Sequence, residues 1–245
     1  MNCAPPLKFV LLSSIALSVV TGCGSSTDNA NNNAVNTGTA KAAAATAMGS
    51  SATGTGSSMN MGAMSFPAPE DIKFNDVVES NVEAPVGLDG LVFVDTNNKR
   101  VQLSDYTGKK NVVLVFTEGF SGMLCPFCKT QTSRLVSNYE KFKELDTEVL
   151  VVYPGERTHV EEFVAAAKKG IDKQQVERVP FPIVLDQTMS AVDHFDIRSK
   201  LAHPSTYVID KNGNIQLAYV GKDMSPDRPS IKALLETLQS IENRK

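Results

Sequence analysis

Two cysteines separated by two residues, Cys125-Pro126-Phe127-Cys128, stand between an uninterrupted apolar run and an amphipathic one. Residues 112–116, Val-Val-Leu-Val-Phe, carry no polar break, as expected of a strand buried on both faces. Residues 129–144 repeat with helical period and put Cys128, Thr132, Leu135, Tyr139 and Phe142 on one stripe. A thiol at the first turn of such a helix feels the positive end of the helix dipole and unsatisfied backbone N–H groups, both of which favour the thiolate. A second thiol three positions on lies one turn away, near enough to close a disulfide or attack a mixed one. The pattern points to a redox dithiol.

Other uses of the pair account for it less well. As a structural staple, a four-residue loop gains only about 2 kcal/mol in the chain-entropy picture, against about 3 for fifteen residues. A structural zinc site takes four ligands, usually as two close pairs. The chain offers no second pair, and His159, His194 and His203 are scattered, so no metal and no cofactor is expected.

The remaining cysteines, Cys3 and Cys23, belong to a different kind of segment. Lys8 precedes an apolar core over residues 9–20, too short for a membrane span of roughly 20 residues and suited to a signal peptide. Val20-Thr21-Gly22-Cys23 resembles the lipobox of bacterial lipoproteins, which implies cleavage before Cys23 and lipidation of its sulfur. The expectation is a signal over residues 1–22 and a protein of the cell envelope, lipid-anchored and facing the exported side. Residues 23–65 then run through Ala, Asn, Thr, Ser, Gly and Met with Asp28 and Lys41 as the only charges. Such a composition buries too little apolar surface to fold, and is expected to be a disordered tether with a reach on the order of 35 Å. Met59, Met61 and Met64 cluster at its end; thioethers suit Cu(I), but no His or Cys lies beside them.

Residues 66–245 amount to one domain. Strand signals at 91–95 and 100–103 suggest a hairpin around Thr96-Asn97-Asn98, and further strands are expected at 112–116, 148–153 and 181–185. A second hairpin, 205–210 with 215–220, turns at Lys211-Asn212-Gly213-Asn214. Helices are expected over 129–144, 159–168 and 188–195, and a last one from Pro229 buries Ile231, Leu234, Leu235, Leu238 and Ile241. The alternation predicts an α/β fold, a central mixed sheet with helices on both faces.

With the dithiol placed between the first long strand and its helix, this order resembles the thioredoxin fold. Residues 84–245 resemble the redoxin family that includes the alkyl hydroperoxide reductase/thiol-specific antioxidant proteins, through Val101-Gln102-Leu103-Ser104-Asp105-Tyr106, the dithiol, Phe181-Pro182-Ile183-Val184-Leu185-Asp186 and Pro204-Ser205-Thr206-Tyr207-Val208-Ile209-Asp210. The resemblance implies a catalytic redox pair, Cys125 as the exposed nucleophile and Cys128 as the buried resolving thiol. Pro126, Phe127, Pro204 and His203 are the implied supporting or substrate-binding residues, Pro204 as the cis-proline facing the dithiol. A His203 imidazolium beside the site would lower a thiol pKa. Arg198 is a candidate for the arginine that peroxiredoxins hold near their thiolate. Glu118 is expected as a surface loop carboxylate, with a proton relay as the alternative, and the acid that thioredoxin buries under its dithiol has no counterpart in residues 112–116.

Two chemistries are open within that family. Peroxiredoxins carry Pro-x-x-x-Thr/Ser-x-x-Cys; here Glu118 stands at the proline position, Gly122 at the hydroxyl position, and Ser121 one residue out of register. Cys-x-x-Cys is the mark of disulfide exchange, with protein thiols or disulfides and an external reductant or oxidant as partners. Hydroperoxide reduction is the alternative, and a copper-binding lipoprotein a further one. A net charge of −3 gives no basis for nucleic-acid binding.

Overall fold

In the computed structural model, residues 65–169 and 176–244 are described, and the former lie with the latter in one unit, Met61–Lys245. The signal, the lipobox cysteine Cys23, the methionine cluster and the tether up to residue 64 fall outside the described residues. Among the described residues no helix is long and apolar enough to cross a membrane.

Seven strands form one sheet: β1 (Val92–Asp95), β2 (Arg100–Gln102), β3 (Asn111–Phe116), β4 (Thr147–Pro154), β5 (Ile183–Asp186), β6 (Ser205–Ile209) and β7 (Ile215–Val220). Their spatial order is β2-β1-β5-β4-β3-β6-β7. The three central strands are parallel, β5 to β4 to β3, and the outer pairings are antiparallel, so the sheet is mixed as expected. Every residue of β3, β4, β5 and β6 is buried, which explains why they read as continuous apolar runs rather than alternating ones.

Helices α1 (Pro126–Ser137), α2 (Tyr139–Glu144), α3 (Val160–Lys168) and α5 (Ile231–Glu242) cover one face, where Leu135, Phe142, Phe163 and Leu234 meet Val113, Val115, Val151 and Val208. The short α4 (Ser190–His194) and two 3₁₀ turns cover the other, with Val192, Phe195 and Leu103 against Leu114, Phe116, Leu150 and Tyr207.

Two boundaries depart from the sequence pattern. The run 129–144 is two helices, because Asn138 turns its side-chain amide onto the Arg134 carbonyl at 2.9 Å and competes with the helix for it. The last helix begins at Ile231 rather than Pro229; the Ser230 hydroxyl accepts from the Ala233 N–H at 3.2 Å and is the better cap.

The site lies where the parallel strands end. Phe116 closes β3 opposite Val152 on one side and Ser205 on the other, so Glu118, Cys125 and Pro204 gather at the same sheet edge.

Candidate active site

Cys125 is the N-cap of α1, Pro126 takes the first helical turn, and Cys128 follows one turn on. Both cysteines are free thiols. Neither is exposed: Cys125 is 2% and Cys128 3% accessible, so the expectation of an exposed Cys125 above a buried Cys128 does not hold. Both cysteines belong to the helical-face core together with Phe127, whose ring meets Phe66 edge-on at 6.3 Å.

Glu118, expected at the surface, is 8% accessible and touches both sulfurs. The Cys125 thiol donates to Glu118 Oε1 at 3.2 Å, and Cys128 Sγ lies 4.0 Å from the same oxygen. The Glu118 backbone N–H donates to Cys128 Sγ at 3.4 Å, and the Met224 N–H donates to Glu118 Oε1 at 3.0 Å. A buried acid is therefore present, in the loop after β3 rather than within residues 112–116. Gly119 makes that loop possible: its φ is +68°, and a Cβ there would sit 2.6 Å from the Pro154 carbonyl oxygen.

The cation is Arg228, which the sequence did not single out. It is 1% accessible, forms an ion pair with Glu118 at 2.8 Å, and points the same Nη2 at Cys128 Sγ (3.3 Å) and Cys125 Sγ (3.7 Å). Its guanidinium carbon lies 5.8 Å from the Phe127 ring centre. The side chains proposed for that cation are paired with other carboxylates. Arg198 pairs with Asp193 in solvent, and His203 pairs with Asp223 at 2.7 Å. Pro204 has a trans peptide bond, the form a proline amide favours by about 0.5–1 kcal/mol. Its carbonyl accepts from the Gly221 N–H at 2.8 Å, where the loop that leads to Arg228 begins.

The two thiols are shifted in opposite directions. The hydrogen bond to Cys128, then burial, holds the Cys125 thiol well above the usual range and keeps its proton in place. Burial also opposes charge on Cys128, but the hydrogen bond from Cys125 and the Arg228 charge outweigh it and bring that thiol down to about 7. The donors converge on Cys128, so the resting thiolate belongs there and not on the helix N-cap as the dipole alone suggested.

Glu118, Cys125 and Cys128 offer three ligand atoms within 4.8 Å of one another. The Arg228 guanidinium contacts all three, so a metal cation would have to displace a buried positive charge. The donor set suits a thiolate better than a metal.

The AhpC/TSA family model matches residues 81–218, more than half of the chain. The chain belongs to the AhpC/TSA family. It is 31% identical to the thiol-disulfide oxidoreductase ResA of Bacillus subtilis over 151 residues, covering 60% of this chain and 74% of that protein. It is 30% identical to the chloroplastic 2-cysteine peroxiredoxin of Chattonella marina var. antiqua over 146 residues, 58% of this chain and 70% of the other. The solved structure of peroxiredoxin 6 from Arenicola marina superposes with a TM-score of 0.55 at 14% identity, over 66% of this chain and 74% of that one, which shows the fold. The chain is an oxidoreductase of thioredoxin-like fold. Cys125, Cys128 and Glu118 lie inside the matched span; Arg228 lies beyond its end.

Proposed function

We propose that this protein is a thiol–disulfide oxidoreductase working through Cys125 and Cys128. The observation that carries the reading is a single carboxylate, Glu118, placed to take the Cys125 proton while Arg228 stabilises charge on Cys128. Cys125, protonated at rest, passes its proton to Glu118 Oε1 as its sulfur attacks one sulfur of a substrate disulfide. A mixed disulfide forms, and the departing thiolate leaves with a proton returned from Glu118. The Cys128 thiolate then attacks Cys125 Sγ and expels the second substrate thiolate, leaving the enzyme disulfide and a substrate reduced by two electrons. An external dithiol reductant restores the pair. Substrate approaches from the side of Ser121, Gly122 and Met123, which are exposed and immediately precede Cys125. Anchoring through Cys23 on the exported side of a membrane completes the reading and rests on the lipobox-like residues alone.

The peroxide alternative draws on Arg228, an arginine beside a thiolate, and on the peroxiredoxin relatives. Against it stands Gly122. At the position where peroxiredoxins carry a hydroxyl this chain has an exposed glycine with a φ of +109°, a backbone conformation that side chains rarely adopt.

Trapping with substrate disulfides separates the two thiol roles. Cys128→Ser is expected to accumulate a mixed disulfide on Cys125, and Cys125→Ser to accumulate none. Trapping that survives loss of Cys125 and needs Cys128 would invert the order of attack.

A further inference from the structure

Part of what holds Arg228 in place comes from a segment that precedes the family-matched span. Residues 66–75 cross the helical face: Ile72 and Phe74 are buried, and Arg134 of α1 donates to the carbonyls of Pro69 (3.0 Å) and Ile72 (2.7 Å) while lying over the Phe74 ring at 4.7 Å. The crossing ends at Asn75. Its backbone N–H donates to the Arg228 carbonyl at 2.8 Å, and its carbonyl accepts from the Ser230 N–H at 2.8 Å, which brackets Pro229 on both sides. Its side-chain amide donates to Asp227 Oδ1 at 3.0 Å and to the Tyr219 hydroxyl at 2.9 Å, and that hydroxyl in turn donates to Asp227 at 2.6 Å. From the opposite side, Gly221 leaves no room for movement, since even a Cβ there would fall 1.9 Å from the Asp227 carbonyl oxygen.

We propose that Asn75 is a positioning residue for the dithiol: it fixes residues 227–230 and thereby holds the Arg228 guanidinium against Cys125, Cys128 and Glu118. The inference rests on the reading that this dithiol is the reactive centre. Its physical basis is that a guanidinium at 3.3 Å from sulfur acts strongly only while its backbone is fixed, and Asn75 holds that loop through the backbone of Arg228 and Ser230 and the side chain of Asp227. The titratable and charged groups facing the sulfurs are Glu118 from the loop after β3, Arg228 from the loop before α5, Tyr153 from β4, and the two thiols themselves. Asn75 makes no hydrogen bond to either sulfur, so its route to thiol acidity runs through residues 227–230 and the Arg228 they carry.

The test is the ultraviolet absorbance of the thiolate followed against pH in the purified, reduced full chain, with circular dichroism reporting the fold. Removing the amide leaves the backbone bonds but frees Asp227. Asn75→Ala is expected to raise the lower thiol inflection by about one unit, which cuts the thiolate fraction at neutral pH several-fold to about tenfold. Asp227→Ala, which removes the other end of the contact, is expected to give the same rise and serves if Asn75→Ala does not fold. In an Arg228→Met background neither change is expected to move the inflection further. A folded Asn75→Ala or Asp227→Ala protein with the wild-type inflection would overturn the proposal, as would an equal rise when Arg228 is already absent. The titration uses no substrate, so its outcome is independent of whether the protein exchanges disulfides or reduces peroxides.

Discussion

Replacing Arg228 with methionine removes one buried positive charge while keeping most of the side-chain length, and two separate consequences follow. The first is at sulfur. Nη2 lies 3.3 Å from Cys128 Sγ, and an opposite charge at that range lowers an acid's pKa by about 1–3 units. Cys128, brought down to about 7 in the intact site, should return to the ordinary thiol value of about 8.5 or rise above it. The thiolate fraction at neutral pH then falls roughly tenfold or more. The second consequence is for stability. Glu118, paired with Arg228 at 2.8 Å, is left as a buried charge without its partner, a change that costs about 3–5 kcal/mol. For a domain of this size the Tm should fall by roughly 10 °C. Adding Glu118→Gln removes the stranded charge, so the double variant should recover most of the lost stability while the thiol inflection stays high. The assay is iodoacetamide alkylation against pH, with mass spectrometry identifying the labelled cysteine, alongside thermal melts of the single and double variants. An Arg228→Met protein that alkylates at Cys128 with an inflection still near 7 would refute the electrostatic account. Equal Tm values for the single and double variants would refute the ion-pair account.

Gly221→Ala should disorder the Arg228 loop, because the added Cβ has the Asp227 carbonyl oxygen 1.9 Å away; a raised thiol inflection together with a lower Tm is the expected result. In the reduced protein, native Cys128 loses its proton near pH 7 whereas the unfolded chain keeps it until about 8.5, so stability should rise with pH across that window, and denaturant melts of Cys128→Ser should lack the rise. Tyr106, Tyr153 and Tyr207 are each pushed up to about 12 by burial, so the native state keeps phenol protons that the unfolded chain loses from about pH 10, and stability should fall as pH climbs from 10 towards 12. Cys23→Ala should move the protein from the membrane to the soluble fraction, checked by fractionation; membrane retention with the signal cleaved would remove the proposed anchor.

The fold was legible because its central strands are buried on both faces and its outer helices on one. The apolar run at residues 112–116, the stripe from Cys128 to Phe142 and the Lys-Asn-Gly-Asn turn each signal an element without reference to the rest of the chain. The dithiol was legible for the same reason: its chemistry is local. What surrounds it was not. Glu118 reads as a loop carboxylate until the chain returns 110 residues later with Arg228 to pair with it. Nothing in the composition of residues 221–229 says that they fold back to bring Arg228 against the dithiol. His203 and Arg198 were plausible cations by proximity in sequence or by resemblance, yet each has a nearer carboxylate, Asp223 and Asp193, with which it pairs. The burial of Cys125 is not legible either, because the groups that meet its sulfur, Glu118 and Arg228, are 110 residues apart in the chain.

The central claim is that Glu118, Arg228 and the two thiols serve disulfide exchange in preference to peroxide reduction. Stopped-flow oxidation of the reduced full chain tests it most directly, with hydrogen peroxide in one series and a protein disulfide in the other. The account predicts ready exchange with the disulfide, and peroxide oxidation not far above that of a free thiol of comparable pKa, because no hydroxyl stands at Gly122 to align the peroxide. Oxidation by peroxide several orders of magnitude faster than a model thiolate, with slow disulfide exchange, would contradict it and identify the protein as a peroxidase.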